Sequence, residues 1–114
     1  MSDIHFPKAT RAHAERRHAL APAPDEAFQA FSKAVFAEGA LDVRTKQLIA
    51  VAVAHVTQCP WCIEGHVKGA LREGASGEQI MEAIWVASEM RAGAAFAHSI
   101  KALELIDPDL AAEG

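Results

Sequence analysis

Leu48-Ile49-Ala50-Val51-Ala52-Val53-Ala54-His55-Val56 is a run with almost no polar face. Alanine is the strongest helix former and supplies about two dozen residues of this chain, so the run reads as a helix and not a strand. A helix that is apolar all round must be covered, either inside one subunit or between subunits. Asp42 stands where an N-cap is wanted, and Pro60 marks the far limit, because proline removes an N–H and clashes with the carbonyl of Val56. Proline is also favoured as the first residue of a new helix. A fourth helix is therefore expected over residues 60–73, stopped by Gly74.

Working outward, Thr10 caps a short helix ending at Leu20, and Pro22 and Pro24 break the chain after it. Asp25 opens a second helical pattern in which Phe28, Phe31, Val35 and Phe36 recur on one face, with Gly39 beyond its end. Downstream, Ser76-Gly77-Glu78-Gln79 has the form of a capping box. Ile80, Met81, Ile84 and Trp85 follow at helical spacing, Gly93 is expected to interrupt that fifth helix, and a sixth runs over residues 94–106 to Asp107-Pro108. The expectation is an all-α compact bundle of about six helices, one domain over residues 1–114, with residues 1–24 as an N-terminal arm.

Composition sets further bounds. The chain has 114 residues, 51% hydrophobic and 23% charged, which excludes a disordered protein. A compact fold of this size exposes about 6,000 Å² of an unfolded surface near 17,700 Å². The net charge of −4 carries no basic footprint for nucleic acid and no polybasic membrane anchor. The start of the chain lacks the basic flank and apolar run of a signal peptide, and the apolar run Leu48 to Ala54 is far short of the roughly 20 residues that span a bilayer. A cytoplasmic location is expected, with no nucleic-acid or membrane partner.

The chemistry concentrates in His55-Val56-Thr57-Gln58-Cys59-Pro60-Trp61-Cys62-Ile63-Glu64-Gly65-His66. These are the chain's two cysteines, and a pair three apart is no disulfide scaffold. If Pro60 starts a helix, Cys59 is its N-cap and Cys62 lies in its first turn. Unpaired N–H groups and the helix dipole there favour a thiolate. His66 lies four residues after Cys62, on the same helical face, where an imidazole can take a thiol proton and return it to a leaving group. Two such thiols can also close into a disulfide.

His55, Cys59, Cys62 and His66 form a plausible zinc set by residue type. Distance argues against it, since a continuous helix separates His55 from His66 by about 16 Å. A three-ligand set of Cys59, Cys62 and His66 remains open, as does a pair of buried cysteines packed as small hydrophobes beside a core histidine. The expected metal and cofactor content is none, apart from the redox-active cysteine pair. Glu64 projects about 200° from Cys62 on a helix and reads as a solvated carboxylate. Trp61, Trp85 and His98 read as packing or interface residues, and His5, His13 and His18 as solvated.

The stretch Asp42 to Gly74, D-V-R-T-K-Q-L-I-A-V-A-V-A-H-V-T-Q-C-P-W-C-I-E-G-H-V-K-G-A-L-R-E-G, resembles the carboxymuconolactone decarboxylase superfamily on its alkyl hydroperoxidase D-like branch. The resemblance extends over about residues 25–106. It implies an all-helical fold that assembles as dimers, trimers or hexamers, hexamer or trimer foremost, and acts as a thiol peroxidase or disulfide reductase. By that resemblance Cys62 attacks a hydroperoxide, Cys59 resolves the sulfenic acid and His66 relays protons. A dithiol donor, a thioredoxin-like or lipoyl-bearing protein, restores the pair. The decarboxylases of the family use no cysteine pair, so C-P-W-C points away from them. Two positions depart from the hydroperoxidase pattern. Gln47 stands where a glutamate is expected, twelve residues before Cys59, and Trp61 stands where a histidine is found. Glutamine can hydrogen-bond an imidazole but cannot take its proton. His55, one turn before Cys59, is a candidate replacement, and His55→Ala is then expected to slow turnover well beyond tenfold.

Overall fold

The computed structural model describes residues 6–112; His5 lies outside them. Five α-helices follow in order: α1 (Arg11–Leu20), α2 (Pro22–Phe36), α3 (Val43–Thr57), α4 (Pro60–Arg72) and α5 (Gly77–Ile106), closed by a 3-10 turn at Pro108–Ala112. The fold is all-α, with no strand among the described residues.

The helix starts follow the caps. Asp42 accepts from the Thr45 amide at 2.7 Å, and Ser76 and Gln79 form a reciprocal capping box. Thr10 does the same with His13, so that histidine serves the start of α1. Two boundaries differ from expectation. Pro22 and Pro24 do not precede α2 but lie in its first turn, where no intrahelical N–H is needed, so the prolines open the helix. Gly93 does not divide α5. One glycine costs a helix only about 1 kcal/mol, and the Glu89 side chain lies over it, with Oε1 3.3 Å from where a Cβ would stand.

The core is small. Val51 of α3, Ala70 of α4, Ala75 of the α4–α5 turn and Ile80 of α5 meet in one buried cluster, with Leu48, Val67 and Ile84 packed around it. Val51 is the largest side chain completely removed from solvent among the described residues. Outside this junction apolar side chains stay open. The α2 stripe is not core: Phe28 and Phe31 are 63% and 64% exposed, and α2 buries none of its residues. One flank of α3 is covered by α4 and α5, but Ile49, Val53 and Val56 stay about half exposed. Helix α5 has two apolar faces. Ile80, Ile84 and Ala87 share the face turned to α3. Met81, Trp85, Phe96 and Leu103 share a second, roughly a third of a turn away, and are exposed.

The chain exposes 9,020 Å², against the roughly 6,000 Å² of a compact fold of its size. Its radius of gyration is 19.8 Å where about 13 Å would be compact. The shape is elongated, 60 × 36 × 36 Å, because α1, α2 and the last third of α5 extend away from the α3–α4–α5 junction. Among the described residues no helix is long and apolar enough to cross a membrane.

Candidate redox site

The turn between α3 and α4 is tightly closed. Gln58 ends α3 in the left-handed conformation (φ 57°, ψ 48°), and the amides of Gln58 and Cys59 both donate to the carbonyl of Ala54. This places Cys59 as the N-cap of α4, with Pro60 as its first residue. The Cys62 amide donates to Cys59 Sγ at 3.2 Å, so a sulfur does what a serine hydroxyl does at other helix starts. Cys59 and Cys62 are joined in a disulfide with Cα atoms 5.2 Å apart, within the ordinary range for such a bridge. Both cysteines are half-buried.

His66 lies one turn further along α4. Its Nδ1 is 2.9 Å from Gln47 Oε1 on α3. A glutamine oxygen only accepts, so Nδ1–H donates and Nε2 is left with a lone pair. The ring stacks on Phe36 of α2, centroids 5.2 Å apart and planes 19° apart. Gly69 makes the Gln47 contact possible, because a Cβ there would lie 2.7 Å from Gln47 Oε1. Three helices thus hold one imidazole: α4 carries it, α3 fixes its tautomer and α2 covers its face. Sequence reasoning named Gln47 and His66 but missed Phe36 and Gly69. Gly69 falls at His66 +3, a spacing that could have been noticed; Phe36 has no local signal for its role.

Cys62 and His66 open onto one cavity of about 500 Å³. Its other walls are apolar side chains of α2, the α2–α3 loop and α3, among them Val35, Leu41, Ile49 and Val53. Lys46 is the cationic residue of the lining, and its Nζ donates to the carbonyls of Val35 and Ala37, closing the end of α2.

The remaining sequence candidates separate from this cavity. His55 donates from Nδ1 to the carbonyl of Val51 on its own helix, 2.7 Å away, and does not line the cavity. Among the described residues no group of three His, Cys, Asp or Glu side chains is placed to hold a metal ion. Glu64 is exposed and pairs with Lys68 at 2.9 Å, and the hydrogen bond from that ammonium holds its carboxyl below the usual range. His98 donates to Ala94 on the outer part of α5. His18 pairs with Asp25 at 3.0 Å. Trp61, between the cysteines, donates from Nε1 to the carbonyl of Pro7 at 2.8 Å, and Phe6 meets it edge-on.

Residues 22–105 match the model of the carboxymuconolactone decarboxylase family. The chain belongs to this family. It is 72% identical over 107 residues to "Uncharacterized protein 4 in cox locus" of Paracoccus denitrificans, covering 94% of this chain and 96% of that one. A crystal structure from Methanobacterium thermoautotrophicum is similar with a TM-score of 0.73 and 34% identity, over 79% of this chain and 98% of that one. A family structure from Thermotoga maritima, described with a suggested part in antioxidative response, is similar with a TM-score of 0.62 and 27% identity, over 82% and 88% of the two chains. The family fold therefore accounts for the α2–α5 body, and the disulfide, His66 and Gln47 all lie within the matched span.

Proposed function

We propose that the protein is a thiol-dependent hydroperoxide reductase. The observation that carries this reading is the opening of Cys62 and His66 onto one apolar cavity, with the resolving sulfur of Cys59 in bonding distance. In the reduced form His66 Nε2 takes the Cys62 proton. The thiolate then attacks the terminal oxygen of the hydroperoxide. An S–O bond forms, the O–O bond breaks, and the alkoxide leaves with the proton returned by His66. The sulfur is oxidised to sulfenic acid and the peroxide is reduced to an alcohol. Cys59 gives up its thiol proton and attacks the sulfenic sulfur, an S–S bond forms as the S–O bond breaks, and the hydroxide leaves with that proton as water. A dithiol donor reduces it by two exchange steps. Gln47 holds the imidazole in the required tautomer without itself taking a proton.

The apolar walls favour organic hydroperoxides over hydrogen peroxide, because an alkyl or aryl body buried there leaves water. The family description of a structural relative in antioxidative terms is consistent with this chemistry. We also propose that the protein works in the cytoplasm as a homo-oligomer, a trimer or hexamer. The exposed surface supports assembly: about 3,000 Å² beyond a compact fold exceeds the roughly 800 Å² per partner of a stable interface.

A second reading, a disulfide oxidoreductase without peroxidase turnover, is favoured by Gln47, which lacks the carboxylate that would strengthen His66 as a base. Stopped-flow oxidation of the reduced protein by an organic hydroperoxide separates the two. The peroxidase requires rapid oxidation lost in Cys62→Ser, with sulfenic acid trapped in Cys59→Ser. Slow oxidation beside rapid thiol–disulfide exchange selects the second reading.

A further inference from the structure

The cysteine turn has a neighbour that the peroxide chemistry does not use. Residues 6–20 carry Lys8, Arg11, Arg16 and Arg17 against Glu15 alone, a net charge of +3. The whole chain is −4, so everything else sums to −7. Helix α1 buries none of its residues, and among the described helices it packs beside α2 alone. No residue of α1 joins the buried cluster of α3, α4 and α5. Yet this segment is tied to the redox turn: Trp61 donates to Pro7, Phe6 packs on the Trp61 ring, and Trp61 shares one hollow with His13 and Arg17 of α1. A basic surface is thus held beside the disulfide of an otherwise acidic protein.

We propose that this arm and α1 form the docking surface for the electron donor, an acidic protein carrying a dithiol. The inference rests on the thiol–disulfide chemistry proposed above and adds where, and by what charge, the donor is recognised. The rest of the chain sums to −7, so an acidic donor is on average repelled elsewhere and attracted at α1, which delivers it to the C-P-W-C turn. There a donor thiolate attacks one sulfur of the Cys59–Cys62 bridge. The S–S bond breaks, a mixed disulfide forms, and the released cysteine takes a proton. The donor's second thiolate then attacks its own sulfur in the mixed disulfide. Both cysteines leave reduced, and the donor leaves as a disulfide, two electrons having passed.

The test uses the full-length oxidised protein and three reductants. One is a synthetic Cys-x-x-Cys peptide flanked by Asp and Glu, the second the same peptide with Asn and Gln instead, and the third dithiothreitol. Second-order rates of disulfide reduction are measured at low and high salt. The acidic peptide is expected to react at least about tenfold faster than the neutral one at low salt, an advantage erased near 0.5 M salt. Arg16→Glu/Arg17→Glu, and separately Lys8→Glu outside the helix, are expected to remove most of that advantage and to leave the dithiothreitol rate within about twofold. Equal rates for the two peptides overturn the inference. So does a charge preference that survives in both variants. If the variants instead change the mass of the assembly, or abolish binding to anionic vesicles without changing peptide rates, the basic surface serves a second copy or a membrane and the inference fails. The pre-reduced protein is treated with cumene hydroperoxide in parallel. A charge preference without peroxide reactivity sinks the peroxidase and keeps the docking surface; fast peroxide reactivity without a charge preference does the reverse.

Discussion

The α3–α4 corner and the far end of α5 are built from similar residues and end in opposite states. At the corner Val51 and Ala70 are sealed from solvent, and a half-buried histidine is held by three helices. Nine residues along α5 from Ala87, the last of its buried residues, Phe96 is 81% exposed, and Ile106, ten residues further, is 78% exposed. Local propensity does not distinguish them, since both are good helix. The difference lies in tertiary neighbours. The corner is finished within one chain, whereas the end of α5 has the apolar surface of an interior without its contents.

That contrast can be tested from several sides. The largest effect is expected in the corner's chemistry. His66→Ala should slow peroxide oxidation of Cys62 by about 10²–10⁴-fold, the usual worth of a general base, measured by single-turnover stopped flow. Phe96→Asp should leave that rate within about twofold while lowering the mass seen by light scattering. An undiminished rate in His66→Ala would remove the corner's claim to chemistry.

Stability should divide the same way. Val51→Ala is expected to cost about 2 kcal/mol in denaturant unfolding, from lost methyl burial and the cavity left behind. Phe96→Ala should cost little in the dissociated subunit. Comparable losses at both sites would show that α5's outer face is covered by its own chain in solution.

Within the corner, Gln47→Glu supplies the carboxylate that Gln47 lacks. The pair should make His66 a stronger base, raise peroxide reactivity about tenfold and move the pH profile upward. No change would mean that Gln47 only orients the ring. His55→Ala is expected to alter the rate by less than about threefold, because its Nδ1 is committed to Val51 and the ring does not line the cavity. A loss beyond tenfold would restore it to the relay, as sequence spacing suggests.

The smallest effect lies at the entrance to the corner. Hydrogen bonds from Thr45 hold the Asp42 carboxyl below its ordinary value of 3.8. A lowered folded pKa stabilises the protein above that value and the contribution is lost as pH falls below it. Asp42→Ala should therefore flatten the acid limb of the stability curve and change little at neutral pH beyond loss of the cap. An unchanged acid limb would count against the cap as a source of pH dependence.

Much of this organisation is legible in the chain itself. Asp42, Cys59-Pro60 and Ser76-x2-Gln79 mark helix starts because caps act within four residues. For the same reason the Cys62–His66 spacing points to one face of α4. What stays hidden is non-local. The stacking of Phe36 on His66 depends on where α2 returns after its loop. The exposure of Phe28 and Phe31 depends on α2 lacking a cover, which no periodicity reveals. Pro22 and Gly93 mislead because the same residue that breaks a helix in one position starts it or is tolerated in another.

The sulfur at the head of α4 has one more consequence. A disulfide sulfur is a weak acceptor for the Cys62 amide, whereas a thiolate at the same place is a charged one beside the positive end of a helix. In the redox cycle proposed above, reduction to a Cys59 thiolate is therefore expected to tighten the helix start and oxidation to loosen it. Such a cycle would carry a mechanical shadow, a first turn that stiffens and relaxes in step with electron transfer, and amide hydrogen exchange at Cys62 is where it should be seen.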